Sequence, residues 1–386
     1  MSDPAAPSSA DGPVIVLAGG GSGGHLYPGL AVAEALRELR PDVRPLFLCT
    51  EREIDRVILE PTGEEFVTQP ITPPRKSVGG LLRFWQRWRA TTDQVKKLLA
   101  ERRPAAVLGL GGYAAGVAVK LAATRHRTPA AILNPDVVPG RANLYLMPYC
   151  RRVYAGFDAT LQHVIAEFRE RTIVTGCPLR REARPPVDRG EAIDRLGLDR
   201  RLNTLVVTGA SQGAQTINEA VVAVVKQLAG EKGFQGWQVL HLAGRDHAEE
   251  VRSAWREVGL NGRARVVDFT PDMGDVWASA DLAVSRSGAG SCAEIAAFGV
   301  PAVLMPYPFH KDMHQAANAR VLADAGAAVL LDDAKQLKVN AQRLRPTLES
   351  LLYDAEKRKA MTAAAAMVAR PDAARAVAED LLSLLG

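Results

Sequence analysis

Cysteine is scarce in this 386-residue chain, and its four copies, Cys49, Cys150, Cys177 and Cys292, lie far apart with no C-x-x-C pair. That spacing argues against a zinc framework or a disulfide-stapled scaffold and fits a reducing compartment. No apolar run reaches the roughly 18–20 residues that span a bilayer. Residues 1–12 are rich in Ala, Ser, Pro and Asp, without a basic start or an apolar stretch. They are expected to form a disordered leader rather than a signal peptide, which places the protein in the cytoplasm. No group of aspartates reads as a D-x-D metal site, and no metal is expected. Aromatic residues make up only 5%, and 48 basic against 43 acidic residues leave a formal charge of +5. With no recognised binding fold beside it, that modest balance points away from nucleic acid.

What the chain has in excess is glycine at one place. Val14–Ala18 is a short apolar run that reads as a buried strand, and of the six residues that follow, Gly19 to Gly24, all but Ser22 are glycine. His25 comes next. Leu30, Ala33, Leu36 and Leu39 then recur at helical spacing, so a helix is expected to start near Pro28, a residue favoured in the first turn. Strand, glycine loop and helix together hold phosphate, because the backbone can approach closely and the helix N-terminus supplies N–H groups and partial positive charge. Gly19, Gly21 and Gly24 also satisfy the dinucleotide fingerprint G-x-G-x-x-G. That fingerprint wants an acidic residue about 20 residues on; Glu51 or Glu53 comes late, and the fingerprint has no need of His25.

The strand–helix alternation continues. Strands are expected at Arg44–Cys49, Ala105–Leu110, Ala130–Leu133 and near Val153 and Ile173. A second glycine turn follows at Gly111-Gly112-Tyr113. The Pro185-Pro186 pair among charges reads as a linker. The second half restarts with a strand at Thr204–Thr208, the turn Gly209–Ala214 and a helix from about Gln215 to Leu228. Further strands are expected at Trp237–Leu242, Ala264–Val267, Leu282–Ser285, Pro301–Met305 and Ala327–Leu331. An α/β protein of two doubly wound domains facing each other across a cleft is the natural architecture. Glu294, one turn into the helix after Ser285, could accept from a ribose diol, or simply favour the helix dipole. His310–Gln315 is a polar loop in which Asp312 could cap the next helix.

One basic stretch stands apart. Arg75, Lys76, Arg83, Arg87, Arg89, Lys96 and Lys97 are interleaved with Leu81, Leu82, Phe84, Trp85 and Trp88. Either the aromatics of a helix face the core, or the segment seats them among lipid headgroups with its arginines against anionic lipid.

Five motifs occur here in one order: G-G-x-S-G-G-H-x-x-P-G-L-A-V-A from Gly19, L-G-x-G-G-Y-x-x-G from Leu108, G-x-S-Q-G-A-x-x-x-N from Gly209, R-S-G-A-x-x-x-x-E-I-A-A from Arg286, and H-K-D-x-x-Q from His310. Over about residues 13–380 the chain resembles the MurG family, UDP-N-acetylglucosamine transferases that convert lipid I to lipid II. The resemblance implies a GT-B fold of two Rossmann-like domains. Residues 13–180 would bind the acceptor, with a helix at about 370–386 packing back on them, and residues 190–369 would bind the UDP-sugar. It also implies inverting transfer of N-acetylglucosamine to the muramyl 4-hydroxyl of an undecaprenyl-diphosphate-linked acceptor. The enzyme would sit peripherally, at the cytoplasmic face of an anionic membrane, with no cofactor.

Residue by residue, the resemblance puts the backbone of Ser22, Gly23 and Gly24 near the donor's sugar and diphosphate, and Arg180 and Ser211 on the diphosphate. Thr270 would meet the uracil through its backbone. Ala289, Gly290, Ser291, Cys292, Ala293 and Glu294 would wrap the nucleotide, with Glu294 on the ribose, and Gln315 would lie near the sugar hydroxyls. Gly111, Gly112 and Tyr113 would line the acceptor's diphosphate pocket. His25 is the candidate base, or else it positions a diphosphate. The chain departs from the family in one place: the family's H-E-Q-N tetrad is replaced by Asn134-Pro135-Asp136, followed by Val137-Val138-Pro139-Gly140. That departure leaves open a related transferase with a different lipid acceptor; a UDP-N-acetylglucosamine epimerase on a similar fold is the competing enzyme class.

Overall fold

The computed structural model describes residues 12–73, 78–209, 213–229, 232–260, 262–309 and 313–385. Arg75, Lys76, Ser211 and the His310–Asp312 part of the polar loop therefore lie outside the described residues. The chain divides into two compact units. The first comprises residues 1–135, 139–180 and 372–386, and the second comprises residues 136–138 and 181–371.

In the first unit seven strands form one sheet: β1 Val14–Gly19, β2 Arg44–Thr50, β3 Glu65–Gln69, β4 Ala106–Gly111, β5 Ala130–Asn134, β6 Arg152–Ala155 and β7 Thr172–Val174. All pair in parallel, in the order β3-β2-β1-β4-β5-β6-β7. A parallel sheet is buried on both faces, and alternate residues of β1 sort accordingly. Ile15 and Leu17 pack with the helix Gly23–Leu39 and the last helix, Ala373–Ser383. Val16 and Ala18 pack with the helices Val78–Arg102 and Gly112–Leu121. Asp380 fixes the last helix to β6, accepting from Tyr154 Oη at 2.8 Å and Arg152 Nε at 3.2 Å.

The first helix begins five residues before Pro28, at Gly23, with Ser22 as its N-cap. The glycines themselves turn helical, and Pro28 lies past the terminus's unpartnered N–H groups, so it forgoes the one bond its N–H would make to Gly24 O. His25 thus belongs to the first turn of the helix instead of the loop.

The second unit repeats the plan with six strands: β8 Asn203–Thr208, β9 Trp237–Leu242, β10 Ala264–Val267, β11 Leu282–Ser285, β12 Ala302–Leu304 and β13 Ala328–Leu330. Their order is β10-β9-β8-β11-β12-β13, again parallel. In both sheets the strand order reverses beside the first strand, between β1 and β4 and between β8 and β11. Ligands of open α/β sheets collect outside the carboxyl ends of the strands at such a point.

A buried histidine braces the second unit. Trp255 Nε1–H donates to His241 Nδ1 at 3.0 Å, so the ring proton sits on Nε2, which faces Asn218 Oδ1 at 3.0 Å. Asn218, the asparagine of the Gly209–Asn218 motif, donates to Ala243 O at 3.0 Å. Burial pushes His241 down to about 3. The unfolded chain therefore takes up this proton first. The bracing is complete above about pH 6.5 and weakens by about 1.4 kcal/mol per pH unit as pH falls towards 3. Denaturant titrations at pH 7, 5.5 and 4.5 should show this slope reduced in His241→Gln; equal slopes would assign the acid sensitivity to other groups.

Candidate functional site

In the first unit the loop after β1 and the turn after β4 meet at His25. Gly111 and Gly112 have φ of +107° and +70°, and a Cβ on either would lie 3.0 to 3.2 Å from the imidazole. Both positions therefore require glycine, for backbone and for space. His25 Nδ1 lies 3.1 Å from Gly20 O and 3.3 Å from Ser22 Oγ. A carbonyl oxygen only accepts, so Nδ1 carries the proton and Nε2 has the lone pair. Tyr113, half exposed, stands at the start of the helix that follows. Arg180 belongs to this unit too: its guanidinium lies 4.5 Å over the ring of Tyr27, and that ring would collide with a Cβ on Gly23 at 2.9 Å. Arginine, aromatic ring and glycine turn form one stack beside the helix N-terminus.

That terminus carries no side-chain cap and no acidic residue in its first turn. The same holds for the helices Gln215–Leu228 and Ala289–Phe298 in the second unit. Asp188 and Asp354 cap the helices Arg189–Arg195 and Ala355–Val368, whereas Leu337–Tyr353 and Ala373–Ser383 are uncapped as well, so an open end marks a site only where it follows a switch-point strand. The helices that start at the switch points leave their N–H groups for an anion.

In the second unit Glu294 is half-buried and accepts from Trp277 Nε1 at 2.8 Å, which holds one carboxylate oxygen in place. Of the turn before it, Cys292 contributes neither side chain nor N–H. Its thiol is in the core, and its N–H is bonded to Gly288 O at 2.9 Å. The N–H groups of Ala289, Gly290 and Ser291 are the ones without a helical partner, and Ala293 is half-buried. Gln315 Oε1 accepts Tyr307 N–H at 2.9 Å, and its carbonyl accepts Ser287 Oγ at 2.8 Å. Thr270, after β10, is half-buried, and Arg245 lies 5.6 Å over the ring of its neighbour Phe269. The helix after the polar loop is His314–Asp324 with Met313 at its N-cap.

Three features escaped the sequence. Asp136–Val138, where the tetrad is missing, is fastened by Asn318: its Oδ1 accepts Val137 N–H at 2.9 Å and its Nδ2 donates to Asp136 Oδ1 at 2.8 Å. Trp277 had no motif around it. Arg286, although the first residue of a quoted motif, is buried with Asp333 in an ion pair of 2.8 Å, at 5% and 0% side-chain exposure. Its other nitrogen donates to Thr216 Oγ1 at 2.8 Å, and its first also reaches Met305 O and Pro306 O at 3.0 Å. That network joins the ends of β11, β12 and β13 to the start of the Gln215–Leu228 helix.

Known proteins match along the whole length. The N-terminal domain of glycosyltransferase family 28 matches residues 15–155, and its C-terminal domain matches residues 204–377. A UDP-N-acetylglucosamine–N-acetylmuramyl-(pentapeptide) pyrophosphoryl-undecaprenol N-acetylglucosamine transferase of Sorangium cellulosum is 36% identical over 377 residues, 96% of this chain and 88% of that protein. Its namesake in Halothermothrix orenii is 33% identical, over 92% of this chain and 95% of that protein. The crystal structure of Acinetobacter baumannii MurG superposes with a TM-score of 0.72 at 25% identity, covering 96% and 99% of the two chains.

The chain belongs to the MurG family.

It is accordingly a glycosyltransferase with the two parallel-sheet domains of that class. A UDP-N-acetylglucosamine 2-epimerase from Neisseria meningitidis also superposes, with a TM-score of 0.65, but at 14% identity it shares the fold alone. Among MurG relatives the ribose reading of Glu294 is testable here. Glu294→Ala should weaken UDP binding by about 1.5–3 kcal/mol through lost charge-assisted hydrogen bonds. Trp277→Phe, which only frees the carboxylate, should cost less. Calorimetry with UDP and with 2′,3′-dideoxy-UDP checks this, because the dideoxy ligand should not sense either change; an unaltered UDP affinity in Glu294→Ala removes the ribose role.

Proposed function

We propose that this enzyme transfers N-acetylglucosamine from UDP-N-acetylglucosamine to the 4-hydroxyl of the N-acetylmuramyl residue of an undecaprenyl-diphosphate-linked acceptor, with inversion. The observation that carries this reading is His25, held with a bare Nε2 against Gly111-Gly112 at the switch point of the first unit. In the transfer the acceptor oxygen bonds to the anomeric carbon as that carbon's bond to the diphosphate oxygen breaks, and the electron pair leaves with UDP. The hydroxyl proton passes to His25 Nε2. Charge growing on the departing diphosphate would be met by Arg180 and by the N–H groups of Ser22, Gly23 and Gly24, while the open helix start at Ala289, Gly290 and Ser291 suits the nucleotide in the second unit. Glu294 would hold the ribose, the backbone of Thr270 the uracil and Gln315 the sugar. Gly111, Gly112 and Tyr113 would take the acceptor diphosphate. Mass spectrometry of the products from UDP-N-acetylglucosamine and a soluble lipid I analogue tests the reading: a disaccharide–diphosphate product supports it, and its absence with an active donor site refutes it.

The acceptor is tethered to a membrane, and the Val78–Arg102 helix suits a peripheral enzyme at its cytoplasmic face. Leu82 and Trp85 are 62% and 60% exposed, so these two are not core residues. Trp88 is half-buried against the core, and Phe84 links the two tryptophan rings at 5.9 and 5.7 Å. Arg83, Arg87 and Arg89 are exposed on the same helix. Among the described residues no helix is long and apolar enough to cross a membrane. Each basic side chain adds about 1 kcal/mol at an anionic surface, screened by salt, whereas inserted aromatics add a part that salt does not remove. Flotation with anionic vesicles should weaken in high salt without vanishing. Trp85→Ala should lower the salt-resistant part with an unchanged melting curve; undiminished flotation would clear this helix of the role.

A further inference from the structure

Behind the glycine loop lies a carboxylate that the reaction does not touch. Asp55, in the short helix Glu53–Leu59, is 0% exposed. Its oxygens accept from Gly21 N at 2.7 and 2.9 Å, from Thr50 N at 2.8 Å and from Thr50 Oγ1 at 2.6 Å. The backbone groups among these can only donate, and the threonine hydroxyl has its proton free to do so, so every one of these partners uses the carboxylate as an acceptor.

The N–H of Gly21 and the C=O of Gly20 are the two ends of a single peptide unit. At one end the N–H donates to buried Asp55; at the other the carbonyl accepts from His25 Nδ1 at 3.1 Å. We infer that Asp55 is the positioning residue of His25, acting through the Gly20–Gly21 peptide. This rests on the reading of His25 as the base.

The physics is that of a carboxylate behind a catalytic histidine, with a peptide group placed between them. A charge-assisted hydrogen bond on the N–H polarises the amide and makes its oxygen a better acceptor, and hydrogen bonds in a chain strengthen one another at low dielectric. The stronger acceptor fixes the Nδ1–H tautomer and leaves Nε2 to take the substrate's proton. Once Nε2 is protonated, the imidazolium faces the negative end of a peptide dipole that is backed by a full negative charge. A carboxylate that merely oriented the ring and stabilised its cation would do the same by direct contact.

The peptide cannot easily swing out of this line. A Cβ on Gly20 would lie 2.3 Å from Asp55 Oδ2, so only glycine brings the backbone this close. On the far side Arg52 Nη1 donates to Gly21 O at 2.6 Å and holds the next carbonyl. Because Gly21 N–H is spent on Asp55, the donors left for phosphate are those of Ser22, Gly23 and Gly24. The loop thus has two separate tasks, with Gly20 and Gly21 serving the base and the residues after them serving the anion.

The test is 15N NMR of histidine-labelled full-length enzyme, with His25→Ala assigning the His25 signal among the seven histidines, alongside steady-state kinetics. The wild-type ring should show the Nδ1–H tautomer; a predominant Nε2–H form overturns the proposal without any Asp55 variant. Asp55→Asn presents an NH2 group to N–H donors. It should mix the tautomers and lower kcat by about 10-fold or more, part of what a general base supplies, with KM for the donor within a factor of about 3. Asp55→Glu keeps the charge and should recover the tautomer and much of kcat even if Asp55→Asn folds poorly. A folded Asp55→Asn with an unchanged tautomer and unchanged kcat overturns the inference while His25 can still be the base. A shifted tautomer together with a fully active His25→Ala instead refutes the base and leaves the positioning intact.

Discussion

Replacing His25 with Ala should lower turnover by about 100-fold or more while leaving UDP affinity within a factor of a few. The substitution deletes the imidazole but none of the loop's N–H groups, and the helix beginning at Gly23 keeps its uncapped end. Anion binding should therefore survive where proton transfer does not. The ring also fills the space beside Gly111 and Gly112, so a small gap opens at the turn proposed for the acceptor diphosphate, and the acceptor KM should rise modestly. Calorimetry with UDP and initial rates at saturating donor separate the two effects. Should turnover and donor affinity fall by the same factor, His25 is a diphosphate-binding residue and the base lies elsewhere.

Much of this could be read from the chain, for a definable reason. Strands of a parallel sheet are short apolar runs, and the turns that follow them are conspicuous when the backbone must do the binding. Trp237–Leu242, Ala264–Val267 and Leu282–Ser285 are strands as expected. The helix at Gln215–Leu228 also lies where its spacing placed it. The glycine loop and the Gly111-Gly112 turn were legible because clustered glycines are a local signal, and Glu294 because it is the lone acid of its otherwise small and apolar helix.

What stayed hidden is what pairing decides. Asp55 looks like any acidic residue in a polar helix until β2 brings Thr50 and the loop to it. Trp277 is a core residue no motif singles out, and only the fold shows its N–H turned to Glu294. The start of the first helix was misplaced because Pro28 is a strong local signal, while glycine gives none for a helix. The aromatic stretch was ambiguous because helical period alone cannot say which face lacks a neighbour; the fold leaves Leu82 and Trp85 outside.

The Arg286–Asp333 pair should show the largest effect on stability. Burial pushes the Asp333 carboxyl up, but Thr216, Asn340, the N–H of Lys335 and Arg286 outweigh it and hold it below the usual carboxylate range. Arg286→Met removes one charge and strands the other in a buried site, which costs about 3–5 kcal/mol. Adding Asp333→Asn removes the stranded charge and should recover most of that loss, because a buried pair contributes little net stability over a neutral one. Function should not recover with it. The arginine joins the ends of β11 and β12 to the start of the Gln215–Leu228 helix, so the double variant should be stable yet bind UDP about 10-fold more weakly. Such a split, measured by urea unfolding and calorimetry on the same samples, is what a residue that arranges strand-end loops must give. A single variant that loses less than about 1 kcal/mol, or a double variant with native UDP affinity, would mean that the loops hold their places without it.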